Sequence, residues 1–196
     1  MQELPLGSRA SLYSGKVVWR SALLGSAVVA ILAPFSVFAV VADSMERTYH
    51  RGDIVAVARV GYLIGNPWIQ DRVSLRGRVI VFRSPVDRDT LVVKRVIAVP
   101  GDRVRIDRGT VVLNETPQVE SYALRSGESW PLMGGSLGGQ AVAVPKRWYF
   151  VLGDNRKVSL DSRAWGFISD RAIVGVVVAV LRRGRSTMSG LEINQF

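Results

Sequence analysis

The chain has 196 residues, 48% of them hydrophobic and 21% charged, enough for one substantial domain and too few for two large ones. Its 26 Lys and Arg against 16 Asp and Glu leave a net charge of +10, which points to an anionic partner (nucleic acid, a lipid surface or an acidic protein) without choosing among them. The absence of cysteine excludes disulfides, thiol catalysis, zinc–thiolate and iron–sulfur ligation, and a single histidine, His50, leaves almost nothing for a Ser-His-Asp triad or a multi-histidine site, so no metal or cofactor is expected.

Residues 1–20 carry Arg9, Lys16 and Arg20 against Glu3, and residues 21–42 carry no charge. At about 1.5 Å of rise per residue such a run crosses a hydrocarbon core of about 30 Å. Pro34 would kink it, which membrane helices tolerate. The positive-inside rule then keeps residues 1–20 in the cytoplasm and places the rest on the outer, periplasmic face of the cytoplasmic (inner) membrane. A cleaved signal peptide is the alternative, since Val40-x-Ala42 resembles a small-residue cleavage site. The run exceeds the usual apolar region of about 7–15 residues, and a retained single-pass anchor is the expectation.

Residues 43–182 read as a β-rich domain. Stretches rich in β-branched residues occur at 53–58, 78–82, 91–99, 103–107, 110–113, 141–144, 148–152 and 173–180, most of them punctuated by Gly, Pro, Asp or Asn. No other segment has a sustained helical period. The expected fold class is mainly β, a folded sheet or barrel behind one N-terminal transmembrane helix, without βαβ units. Residues 115–146 hold Gly127, Gly134, Gly135, Gly138 and Gly139 with few apolar anchors, and read as an insertion or small subdomain. Residues 183–196 read as a polar, solvated tail.

Two positions are unusual for a purely structural protein. Ser44 lies in the polar loop directly after the apolar run; read alone it is a cap or loop serine. Lys94 lies within Leu91-Val92-Val93-Lys94-Arg95-Val96-Ile97-Ala98-Val99, where alternation puts Lys94 and Arg95 on opposite, otherwise apolar faces. One of the two charges can face water, and the other is pushed toward apolar surroundings unless both snorkel from an edge strand. A lysine works as a base near neutral pH only if its pKa falls from about 10.4 by roughly 3 units, which burial against aliphatic side chains achieves. A serine within reach then loses its proton to that amine as it attacks a carbonyl.

At these residues the sequence resembles the type I signal peptidases, membrane-anchored serine proteases with a Ser/Lys dyad. The nucleophile box of that family is matched by Ser44-Met45-Glu46-Arg47-Thr48-Tyr49 followed by Gly52-Asp53, and a strand box by Arg76-Gly77-Arg78-Val79-Ile80-Val81-Phe82. The base box is matched by Lys94-Arg95-Val96-Ile97-Ala98-Val99-Pro100-Gly101-Asp102, and the last box by Gly153-Asp154-Asn155, Ser159, Asp161-Ser162-Arg163 and Trp165-Gly166. The resemblance implies Ser44 as nucleophile, with its backbone N–H in the oxyanion hole, and Lys94 as general base. It implies Ser159 as the group that orients the lysine amine, Asp161 and Arg163 as a supporting ion pair, and Gly153 and Asn155 as shapers of the turn. It also implies that the substrates are exported precursors carrying signal peptides, and that the partners are these precursors and the phospholipid membrane, not nucleic acid.

Three positions depart from the family pattern. Arg47 stands where the family has proline, Ala42 where many bacterial members have a serine that completes the oxyanion hole, and Lys157-Val158 where an acidic pair is common. A specialised maturase of one precursor, and a non-catalytic membrane-anchored β module, are the alternative readings. His50 sits in the nucleophile loop but has the wrong sequence company for a triad. Tyr62, Trp68, Trp130 and Trp148 suit either a core or a lipid interface.

Overall fold

In the computed structural model, residues 34–59, 75–124 and 140–184 are described, and from Phe35 onward they belong to one unit. The β-branched stretches fold as strands: β1 Phe35–Ala39, β2 Ile54–Arg59, β3 Val79–Arg83, β4 Leu91–Ala98, β5 Arg103–Asp107, β6 Thr110–Leu113, β7 Thr116–Pro117, β8 Val142–Ala143, β9 Trp148–Leu152, β10 Ile168–Ser169 and β11 Ile173–Arg182. A seven-stranded sheet has the order β1-β2-β11-β3-β4-β9-β10, and a four-stranded sheet the order β7-β6-β5-β8; every pairing is antiparallel. A short helix, α1 (Ser162–Trp165), follows β9, with the Asp161 carboxylate accepting from the Arg163 N–H at its start.

The two sheets share a core. Val104 and Ile106 of β5 and Val111 and Leu113 of β6 pack against Ile97, Phe150 and Leu152 of the larger sheet. A second cluster, with Ile80, Phe82, Val96 and Val151, fills the centre of the larger sheet. A third gathers Val40, Met45, Val55, Val57, Val79 and Val81 beneath the loop that carries Ser44. Burial of such aliphatic side chains contributes about 1.5–3 kcal/mol each, so the loop rests on a firm floor.

Three expectations change. The end of the apolar run is a strand: Phe35–Ala39 pairs with β2 in the register Phe35↔Ala58 to Ala39↔Ile54. Pro34 has no N–H to continue a helix, and the backbone groups after it find partners on β2 instead. Phe35, Val37 and Ala39 are exposed while Ser36 and Phe38 are half-buried, the period-two pattern of a strand. Residues 21–33 of the expected span lie outside the described residues; among the described residues no helix is long and apolar enough to cross a membrane. The segment 115–146 contributes β7 and β8 to the four-stranded sheet, with 125–139 outside the described residues. The tail expected from residue 183 starts as anchored chain: Arg183 Nη1 lies 3.0 Å from the Asp53 carboxylate and the Gly184 N–H donates to it at 2.7 Å.

Gly175 shows how closely β11 lies on β2. A Cβ there would stand 2.6 Å from Val57 Cγ1 and 3.0 Å from the Ala58 carbonyl carbon. Backbone cannot yield as a side-chain tip does, so Gly175→Ala is expected to cost about 1–3 kcal/mol. A thermal scan should show the midpoint falling by roughly 5–10 °C.

Candidate active site

Ser44 sits in a single 3-10 turn, Asp43–Met45, that leaves β1 and leads toward β2. Two contacts fix this turn. Met45 is fully buried in the cluster beneath it, and the Ser44 carbonyl accepts the Asn155 N–H at 3.0 Å. Lys94 is on β4, opposite Ile80 of β3, and only 3% exposed. Its Nζ lies 2.5 Å from Ser44 Oγ. Residues 50 positions apart in sequence therefore meet as a hydroxyl and an amine in direct hydrogen-bond contact. Burial lowers the Lys94 pKa to about 8; Asp161 pulls it up, Arg163 pushes it down and Asp154 pulls it up again.

The chain from Gly153 to Arg163 wraps this pair. Asp161 is completely buried; its carboxylate accepts the Gly153 N–H at 3.0 Å and holds Arg163 through Nε at 2.8 Å and Nη2 at 2.9 Å. Arg163 Nη2 also donates to the Ser159 carbonyl at 3.0 Å. Gly153 has no room for a side chain: a Cβ would stand 2.5 Å from the Ser44 carbonyl oxygen and from Ser159 Cβ. Its missing Cβ is what lets the turn, the nucleophile loop and Ser159 crowd together. The Ser159 Oγ is buried beside them with no hydrogen-bond partner. The contact with the lysine amine that the resemblance implies is not made here.

Arg95, next to Lys94 and on the other face of β4, was not singled out for a role by sequence reasoning. It clasps Asp154, which is 0% exposed, through Nε at 2.8 Å and Nη2 at 2.6 Å. Thr48 of the nucleophile loop donates to the same carboxylate at 2.5 Å. One buried carboxylate therefore joins the three segments that carry Ser44, Lys94 and the Gly153 turn. The signal for it was present: a guanidinium cannot shed its proton as a lysine can, so an arginine withdrawn from water in an apolar strand requires an anion.

His50 takes no part. Its Nε2 lies 3.4 Å from Glu46 Oε1, and its backbone N–H donates to Asp53 at 3.0 Å. Arg47 has φ +81°, a conformation closed to proline, whose ring holds φ near −65°. The Arg47 side chain donates to the Ala123 carbonyl at 3.4 Å. Ala42 is exposed and extended, with no hydroxyl to offer. Lys157 and Val158 are exposed. Trp148 is partly exposed, while Tyr62, Trp68 and Trp130 lie outside the described residues.

A nucleophilic hydroxyl paired with a lysine of lowered pKa is equipped for acyl transfer. No group of side chains among the described residues is arranged to hold a metal ion. The sequence profile described as "Signal peptidase, peptidase S26" matches residues 16–182. Signal peptidase IB of Staphylococcus aureus (strain COL) is 37% identical over 145 residues, 69% of this chain and 71% of the relative. The probable signal peptidase I-1 of Synechocystis is 34% identical over 164 residues, 78% of this chain and 76% of the relative. A crystal structure of a signal peptidase I from Enterococcus faecalis is 33% identical and covers 53% of this chain and 95% of its own, with a TM-score of 0.44.

Proposed function

From the premise that the chain belongs to the S26 signal peptidases, serine endopeptidases that remove signal peptides from exported precursors, we propose that Ser44 is its nucleophile and Lys94 its general base. The observation that carries this assignment is the 2.5 Å contact between Lys94 Nζ and Ser44 Oγ, with the lysine out of water. A neutral amine takes the hydroxyl proton as Ser44 Oγ attacks the scissile carbonyl carbon. The Ser44 backbone N–H stabilises the resulting oxyanion. Lys94 returns the proton to the leaving amine, and the acyl-enzyme is hydrolysed by a water that the same amine deprotonates. The unpartnered Ser159 hydroxyl accepts a hydrogen bond from the Lys94 ammonium as it forms. Asp161 and Arg163 keep that segment in place.

We propose that the apolar run beginning at residue 21 holds the enzyme at the cytoplasmic membrane with the N-terminus inside, and that the β-rich domain works on the outer face, where signal sequences tether its substrates. The support is the uncharged run preceded by Arg9, Lys16 and Arg20. Enzyme and substrate held on one surface meet at raised effective concentration.

The test is a gel-shift cleavage assay with the full chain in detergent and a panel of unrelated secretory precursors, beside Ser44→Ala. Wild type is expected to trim the precursors after a small residue and the alanine variant to leave them intact. Trimming by Ser44→Ala sinks the nucleophile assignment. Cleavage of one precursor alone identifies a dedicated maturase.

A further inference from the structure

The segment after β7 brings a buried ion pair against the turn that holds Ser44. Arg156 and Glu120 have side chains 4% and 2% exposed, and their contact is bidentate, Nη1 at 3.0 Å and Nη2 at 2.6 Å. Arg156 Nε donates to the Gly153 carbonyl at 2.8 Å. The Tyr122 hydroxyl donates to Glu120 at 2.9 Å, and the ring of the same tyrosine lies 4.0 Å beneath the Arg95 guanidinium. The backbone repeats the connection: the Leu124 N–H donates to the Asp154 carbonyl at 2.8 Å and the Arg156 N–H to the Leu124 carbonyl at 3.0 Å. Every contact falls on Gly153–Arg156, the turn whose Asn155 N–H holds the Ser44 carbonyl, or on Arg95, the neighbour of Lys94.

Two charges withdrawn this far from water are costly to keep unless their geometry is fully satisfied, and here the guanidinium and the carboxylate are multiply bonded. An ion pair that only stabilised the fold had no need to be tied to both sides of the dyad. We propose that Glu120, acting through Arg156 and Tyr122, is a positioning residue that locks the Gly153–Arg156 turn and so fixes the distance from Ser44 to Lys94. This rests on the assignment of Ser44 and Lys94. Without the lock the turn slackens, the reacting geometry is populated less of the time and water reaches the amine. The charged groups felt by Lys94 (Asp154, Asp161 and Arg163) all remain in place, so a change in its titration reports hydration of the site.

The experiment measures steady-state cleavage of a precursor by the full-length protein in detergent, for wild type, Glu120→Gln, Tyr122→Phe and Lys94→Arg, with thermal scans on each. Glu120→Gln is expected to lower kcat by about 10–100-fold with KM within about twofold, in the range of a misplaced catalytic group. The pH at half-maximal kcat should move upward by half a unit or more. Tyr122→Phe removes only one hydrogen bond and should do the same in smaller measure, with kcat down about threefold. It carries the test if Glu120→Gln does not fold. A folded Glu120→Gln, or failing that a folded Tyr122→Phe, with wild-type kcat and pH profile overturns the proposal, as does a rise in KM alone. Lys94→Arg separates the two layers. If it is inactive, those outcomes overturn the lock and spare the dyad; if it is active, the dyad falls and the lock with it.

Discussion

Replacing Lys94 by arginine is expected to lower kcat/KM for precursor cleavage by about 10³–10⁴-fold, the contribution of a well-placed general base. Arginine keeps the positive charge and much of the length of lysine but does not release its proton at any working pH. A role for Lys94 as a fixed charge predicts substantial retained activity, and a role as a neutral base predicts almost none. The same chemistry sets the pH profile. With a pKa of about 8, the amine is about one-tenth neutral at pH 7 and mostly neutral by pH 9. The cleavage rate in wild type should therefore rise with pH and reach half its maximum near pH 8. A rate that is flat from pH 6 to 9 contradicts the assignment. The enzyme also bears a stability cost for this residue. The unfolded lysine, near 10.5, binds a proton that the folded one has shed between about pH 8 and 10.5, so stability rises with pH across that window. At pH 7 the full penalty is present, about 3 kcal/mol at 1.36 kcal/mol per unit.

Removing the Asp154 carboxylate should have the largest effect on the fold. Asp154→Ala leaves the Arg95 guanidinium, 13% exposed, without its anion and strips Thr48 of its acceptor. Losing one partner of a buried pair costs about 3–5 kcal/mol. The thermal midpoint should fall by roughly 10 °C at about 2–4 °C per kcal/mol. Replacing both partners, as in Arg95→Met with Asp154→Leu, should recover much of that stability, because the uncompensated charge is gone. Activity should stay low in both, since Thr48, β4 and the Gly153 turn are no longer tied together. A single variant that melts with wild type shows that the guanidinium finds water instead.

The strands were legible because their residues alternate and their ends carry turn formers. All eight expected stretches contain a strand, and no boundary moves by more than two residues. β1 was hidden by hydropathy: Phe35-Ser36-Val37-Phe38-Ala39 continues an uncharged run, and total apolarity masks the period of two. β7 and β10 have two residues each, too few for any period, and exist because neighbouring strands supply their partners. Lys94 was visible as a cation in an aliphatic strand, but its meeting with Ser44 was visible only through the order of the family's boxes. Glu120 and Tyr122 carried no local signal at all. Their meaning comes from a pairing 36 residues away in the chain.

The strand at the end of the apolar run changes where the catalytic unit begins. A fragment starting at residue 43 keeps every box of the family motif, yet it lacks Phe38 and Val40, which close the cluster under Met45. It also lacks the clasp in which the Val40 N–H donates to the Asp53 carbonyl at 2.8 Å and the Gly52 N–H to the Val40 carbonyl at 2.7 Å. β2 then becomes a raw sheet edge, with a row of unpaired backbone groups open to other chains. Such a fragment is expected to aggregate, whereas one starting at Pro34 retains the edge and the floor of the nucleophile loop. The end of the apolar run is thus no spacer: its last residues are the first strand of the catalytic unit.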